Sequence, residues 1–275
     1  MKVKIIGLGD HEGVNNVGGR IGAAKGPESF KTFYNKLNGD PFFQQTKQDI
    51  ECLNFDGLSL EEKHEKSAKA ISNHEQNNDI TIVVGGGHDF IYSHVKGVSY
   101  KNKNKTSCIN IDPHLDMRPY NEQFTSGSPF RRLIDEKILS SQQLIEYGIQ
   151  THANAPELFD YANSKNIDVV YYHELTFVNY LSVFHQKLED LAKVSDHIVI
   201  SLDLDVLQAS YAPGVSAPAV EGFTPEQMKA LLICAASFKE VKSLGIFELN
   251  PDLDIDDRTA RLAAYCAYYF IEAKR

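Results

Sequence analysis

Short apolar runs rich in β-branched residues recur along this chain with longer amphipathic stretches between them, and no other feature restricts the fold as much. The runs are Val3 to Gly7, Ile50 to Phe55, Ile80 to Val84, Ser107 to Ile111, Gln143 to Gly148, Asp168 to Tyr172, His197 to Leu202 and Val241 to Phe247. Runs of this length read as strands. Helical patterns occupy PESFKTFYNKL after Gly26, then Ser59 to Gln76, Ala155 to Lys165, Ser182 to Lys193, Thr224 to Phe238 and Asp256 to Ala273. Strands that are apolar at nearly every position are covered on both faces, and strands separated by helices pair in parallel. The expected fold is α/β, with a mostly parallel sheet of eight strands if the weak run at Ile50 is counted.

Nothing divides the chain. It has no repeat, low-complexity tract or Pro-rich linker, and the run Lys101-Asn102-Lys103-Asn104-Lys105 reads as a solvated turn before the next strand. With 275 residues, 42% of them hydrophobic, one domain over residues 1–275 is expected. Twenty-eight basic against 37 acidic residues give a formal charge of -9, which disfavours nucleic acid and anionic membranes as partners. No stretch approaches the ~18 apolar residues of a membrane span. The apolar start is too short for a signal peptide before Asp10, His11 and Glu12. Cys52, Cys108, Cys234 and Cys266 are scattered without CxxC spacing and read as reduced packing thiols in a cytoplasmic protein.

The chemistry gathers where strands end. The run CINI leads into Asp112-Pro113-His114-Leu115-Asp116, and because extended side chains alternate, positions 112, 114 and 116 can share one side. A polar turn with a helix-capping Asp fits that segment as well as a metal site does. A second strand, HIVISL, ends in Asp203 and Asp205 with the same spacing. Buried carboxylates need cations, and no Lys or Arg lies nearby in sequence. A solvated Asp pair is the alternative. A third strand, ITIVV, runs into Gly85-Gly86-Gly87-His88-Asp89, a turn that lets backbone bend closely around a site and lacks both GxGxxG and the Walker pattern. Together His88, Asp112, His114, Asp116, Asp203 and Asp205 offer two imidazoles and four carboxylates, a hard donor set that balances two divalent cations and suits Mn2+. A pair of such ions roughly 3.5–4 Å apart can activate a water and stabilise a tetrahedral intermediate.

GGGH at Gly85 to His88, DPHLD at Asp112 to Asp116 and SLDLD at Ser201 to Asp205 resemble, in order and separation, the metal motifs of the ureohydrolase family of arginase, agmatinase and formimidoylglutamase. APGVSAP (Ala212 to Pro218), ELNP (Glu248 to Pro251), Gly18-Gly19-Arg20 and GAAKGP (Gly22 to Pro27) extend the resemblance over nearly the whole chain. It implies the arginase/deacetylase three-layer α/β/α architecture. It also implies two Mn2+ ions, one held by His88, Asp112, Asp116 and Asp203 and the other by Asp112, His114, Asp203 and Asp205. Asp112 and Asp203 would bridge, Asp116 would pass a proton to the leaving nitrogen, and Glu248 would pair with an amidinium. Homo-oligomers are typical of such relatives.

Within that family the APGVSAP loop, Arg118, Thr125 to Phe130 and Tyr147 to Gln150 with Asn154 resemble the formimidoylglutamase subgroup. The implied reaction takes N-formimidoyl-L-glutamate and water to L-glutamate and formamide, a step of histidine degradation. Its substrate is a small amidine with two carboxylates, for which Arg118, Ser126 and Ser128 are the candidate contacts. Three departures stand out: Pro113 replaces the usual Ala, Gln208 replaces a frequent acid, and the arginase-type loop His has no counterpart at Ser126 to Pro129. His152 is either a replacement proton carrier or an ordinary loop histidine. The other readings are a ureohydrolase that releases urea from guanidinobutyrate, agmatine or arginine, and a metal-free binding protein descended from the enzyme.

Overall fold

In the computed structural model, which describes residues 2–47, 49–74, 80–102, 104–120, 123–175 and 178–275, every predicted strand forms. They are β1 (Val3–Leu8), β2 (Ile50–Cys52), β3 (Ile80–Gly85), β4 (Thr106–Ile111), β5 (Leu144–Ile149), β6 (Asp168–Tyr171), β7 (His197–Asp203) and β8 (Val241–Phe247). They make one sheet in the order β2-β1-β3-β8-β7-β4-β5-β6. Every neighbouring pair is parallel. The weak second run contracts to three residues on an edge, where one partner strand supports it.

Alternation along each strand explains the layers. Ile82, Val84, Ile198, Ile200 and Leu202 enter one apolar core, while Val83 and Val199 between them enter a second core on the opposite face. Helices Gly26–Tyr34, Tyr180–Ala192, Pro225–Ser237 and Arg258–Glu272 close the first core through residues such as Phe30, Phe184, Leu231 and Phe270. Helices Leu60–His74, Phe90–Ser99, Pro129–Asp135 and Pro156–Lys165 close the second through Ile71, Phe90, Phe130 and Leu158. Each fully buried large apolar side chain contributes roughly 1.5–3 kcal/mol. This is the three-layer α/β/α arrangement.

Four helices escaped the periodicity. Glu12–Asn16, Pro41–Thr46 and Pro129–Asp135 are too short for an amphipathic signal. Phe90–Ser99 is buried at all but Lys96 and Ser99, so it has no polar face to reveal its period. Its Gly97 lies so close to the helix Leu60–His74 that a Cβ there would stand 2.5 Å from the Ala68 carbonyl oxygen. The predicted helix end at Gln76 and the middle of the lysine-asparagine run at Lys103 lie outside the described residues. Cys52, expected in packing, is exposed on the edge strand, and all four cysteines are free.

The topology has one consequence for chemistry. β3, β8, β7 and β4 are consecutive neighbours at the sheet centre. Motifs that are far apart in sequence therefore emerge side by side at the carboxyl ends of these strands, where parallel sheets hold their ligands.

Candidate metal centre

From β3 comes His88, from β4 come Asp112, His114 and Asp116, from β7 come Asp203 and Asp205, and from β8 comes Glu248. The His88 Nδ1 atom lies 2.9 Å from Asp116 Oδ2, 3.0 Å from Asp112 Oδ2 and 3.1 Å from Asp203 Oδ2. His114 Nδ1 lies 3.2 Å from Asp205 Oδ2 and 3.3 Å from Asp112 Oδ1. Asp112 thus divides its oxygens between two donor groups. Asp203 turns Oδ2 to the His88 group, while its Oδ1 accepts from the Asp205 backbone N–H at 2.9 Å.

The donor set fits divalent cations. A single imidazole N–H cannot serve the three carboxylate oxygens that converge on His88 Nδ1, and Asp205 Oδ1 and Glu248 Oε2 are buried without a hydrogen-bond partner among the described residues. Ligand atoms of His88, Asp112 and Asp116, and of Asp112, His114 and Asp205, cluster within 4.8 Å. Electrostatics agree. Burial, with the neighbouring Asp203 charge added, holds both the Asp205 and the Glu248 carboxyl well above the usual range. Burial and the Asp112 charge push Asp116 to about 6, against the pull of His88. Burial opposes charge on Asp112 too, but His114 and His88 outweigh it and leave that carboxyl low. For His88 and His114, burial opposes the imidazolium and the surrounding carboxylates outweigh it, so both lie well above the ordinary histidine value. Negative charge exceeds what two histidines neutralise.

Local backbone explains how the donors are aimed. Asp116 and Glu248 adopt left-handed φ values of 47° and 65°, which cost about 1–3 kcal/mol each in a non-glycine residue and are held by the loops around them. Glu248 donates its backbone N–H to the Gly86 carbonyl oxygen and accepts from the His88 backbone N–H at Oε1, both at 2.8 Å. His88 Nε2 hydrogen-bonds with Ser201 Oγ at 2.8 Å, which fixes the ring with Nδ1 towards the acids. Asn154 braces the DPHLD loop by accepting from the Leu115 N–H and donating to the Pro113 carbonyl.

The glycine turn is obligatory. A Cβ at Gly86 would lie 1.8 Å from the Asp10 carbonyl oxygen, and backbone cannot withdraw as a side-chain tip can. Gly86→Ala is expected to lower stability by about 1–3 kcal/mol, read as a lower thermal midpoint. An unchanged midpoint would refute the close approach.

Val17, Gly18, Gly19, Arg118, Ser126, Gly127, Ser216 and Ala217 complete a cleft of about 180 Å3 with His88, His114, Asp116, Asp203, Asp205 and Glu248, while Asp112 is fully buried and outside its lining. Arg20 shapes its rim by donating from Nε to the Ser216 carbonyl and from its terminal nitrogen to that of Val215. Arg118 folds over Gly127, where a Cβ would stand 2.8 Å from its Cδ, and its backbone N–H bonds the Gly127 carbonyl at 2.8 Å. Ser128 departs from the expectation of a substrate contact. It is 2% exposed, and its Oγ accepts from the Thr125 N–H and donates to the Thr125 carbonyl, which closes the loop. His152 is exposed and absent from the cleft lining. A larger groove of about 590 Å3, with Lys137, Ser141 and Val194 among its lining, lies by the opposite ends of β4 and β5 and holds no comparable set of acids.

Two residues beneath the site were not anticipated. Glu146 in β5 and Asn110 in β4 are fully buried and joined by a hydrogen bond. Their signal was a lone acid inside the apolar run LIEYGI, a residue type that is almost never fully buried without a partner.

Comparisons with known proteins follow the same lines. The model of the Arginase family matches residues 2–272. Formimidoylglutamase of Lysinibacillus sphaericus is 33% identical over 271 residues, covering 96% of this chain and 82% of that protein. Formimidoylglutamase of Staphylococcus aureus is 34% identical over 278 residues, covering 98% and 86%. Among solved structures, Trypanosoma cruzi formiminoglutamase with Mn2+2 superposes with a TM-score of 0.88 at 27% identity, covering 99% of this chain and 94% of that one.

Proposed function

This chain belongs to the arginase family, and from that membership we propose that it hydrolyses N-formimidoyl-L-glutamate to L-glutamate and formamide with two Mn2+ ions. The observation that carries the reading is the convergence of two imidazoles and three aspartates in one cleft that also contains Glu248 and Arg118, with the buried Asp112 placed against both histidines. The ions, held by His88, Asp112, Asp116 and Asp203 and by Asp112, His114, Asp203 and Asp205, would supply Lewis-acid activation of water and neutralise developing charge.

The protein groups divide the remaining work. Glu248 Oε2, which has no partner among the described residues, accepts N–H bonds from the formimidoyl group and orients its carbon. Asp116 accepts a proton from the attacking water and returns it to the glutamate nitrogen as the bond from that nitrogen to the formimidoyl carbon breaks. The water oxygen becomes the formamide oxygen. Arg118, with the Ser126 hydroxyl beside it, meets the substrate carboxylates at the mouth. No described helix is long and apolar enough to cross a membrane, and the four free thiols support a cytoplasmic site of action.

The test is a panel after Mn2+ loading: N-formimidoyl-L-glutamate, guanidinobutyrate, agmatine and arginine, with glutamate, formamide and urea measured. Glutamate and formamide in equal amounts from the first substrate, with little urea from the others, is the expected result. Urea release from a guanidino substrate as the dominant activity would overturn the substrate assignment, and no turnover of any of the four would overturn the enzymatic reading.

A further inference from the structure

Of the buried acids left over by this chemistry, Asp89 is paired with His64 and Glu146 has no ionic partner among the described residues. Glu146 is 0% exposed, stands directly beside Asn110 in the register of β5 against β4, and points to the same face of the sheet as the metal ligands. The Asn110 amide lies between two carboxylates: Nδ2 donates to Glu146 Oε2 at 2.8 Å and to Asp112 Oδ2 at 3.3 Å. Asn110 Oδ1 and Glu146 Oε1 are buried without a partner among the described residues, so the amide nitrogen carries the polar contacts of both groups. A buried acid in the middle of an apolar parallel strand lowers stability unless the structure uses it.

The arrangement has a directional logic. A side-chain amide has one donor end and one acceptor end of nearly the same shape, and neighbours alone decide which way it faces. The Asp112 carboxylate can only accept, so the NH2 end faces it, and the second hydrogen goes to Glu146 Oε2. If Glu146 were removed, the amide would keep only its long 3.3 Å contact with Asp112, and Asp112 would lose a donor held in place at the oxygen it turns towards His88. Asp112 is the residue whose two oxygens face the two donor groups, so its orientation matters to both.

We infer that Glu146 is a positioning residue of the metal centre: through the Asn110 amide it fixes the Asp112 carboxylate so that one oxygen faces each histidine. This rests on the metal-dependent reading above. Groups that orient metal ligands typically alter metal affinity by 10–100-fold when removed.

The experiment compares wild type with Glu146→Leu, Glu146→Gln, Asn110→Leu and the double leucine variant. Each is stripped of metal and titrated with Mn2+, following stoichiometry and affinity by calorimetry and ion pairing by electron paramagnetic resonance. Thermal midpoints of the metal-free proteins are recorded alongside. Glu146→Leu is expected to weaken at least one ion by 10-fold or more and to lower kcat with KM nearly unchanged. Glu146→Gln keeps an acceptor for Asn110 and is expected to stay within about threefold of wild type, a rescue that general packing does not predict. Asn110→Leu breaks the same link from its other end, so the double variant should lose little beyond either single one. Leucine variants that bind both ions as tightly as a dimetal wild type overturn this inference alone, as does a glutamine variant no better than the leucine one. Wild-type protein that binds no Mn2+ overturns the metal-dependent reading and this inference with it.

Discussion

Replacing Asp116 by Asn is expected to reduce kcat by about 10²- to 10⁴-fold, the range spanned by positioned proton-transfer groups, while most of the bound Mn2+ is retained. The substitution suits this question because it changes little else. Asp116 stands at a left-handed φ of 47°, a conformation that Asn adopts more readily than most residues. Its backbone carbonyl still accepts from the Phe130 N–H, and an amide oxygen can still face His88 Nδ1. The lost property is the capacity to take up a proton and release it to the departing nitrogen. Metal content by elemental analysis, measured on the same sample as kcat, separates the two ways of failing. A variant with both ions and a rate within threefold of wild type would remove Asp116 from proton transfer. Loss of rate in strict proportion to loss of metal would make it a ligand only.

The cluster of acids and histidines was legible in the sequence because each stands at the end of an apolar run, where period-two spacing and strand polarity decide direction. His88, Asp112, His114, Asp116, Asp203 and Asp205 needed no knowledge of tertiary structure beyond the assumption that the strands are parallel neighbours. The strand order supplies that adjacency by setting β3, β8, β7 and β4 side by side. The lining of the cleft mouth was less legible. Ser126 and Ser128 are two residues apart, yet one lines the cleft while the other bonds Thr125 twice, and only loop closure distinguishes them. Glu146 was hidden differently, since a strand read for its apolar average does not reveal what one charged member faces. Helix Phe90–Ser99 shows the same limitation: periodicity reports exposure, and an element buried nearly all round has none to report.

Acid is expected to unfold this protein through two histidines that lie away from the metal centre. His94 is fully buried in helix Phe90–Ser99, with neither ring nitrogen hydrogen-bonded among the described residues, and burial lowers its pKa to about 3. His197 at the start of β7 is lowered to about 3 by burial, with Lys242, His94 and Lys274 adding repulsion, although its Nε2 lies 3.0 Å from Ser243 Oγ. An unfolded histidine binds its proton near pH 6.5, so between pH 6.5 and about 3 the unfolded chain holds more protons than the folded one. Stability from keeping these rings neutral is therefore complete above pH 6.5 and lost as pH falls. At about 1.4 kcal/mol per pH unit per group, lowering the pH from 6.5 to 4.5 removes roughly 2.7 kcal/mol for each ring, or about 5 kcal/mol together. That is a large share of the ~5–15 kcal/mol typical of folded domains. Denaturant unfolding of metal-free wild type and His94→Leu across this range tests the assignment, because contributions from the metal-site acids are common to both and cancel in the difference. The variant is expected to lose less stability on acidification by roughly 2.7 kcal/mol at pH 4.5. Parallel curves for the two proteins would show that His94 is not held neutral by burial.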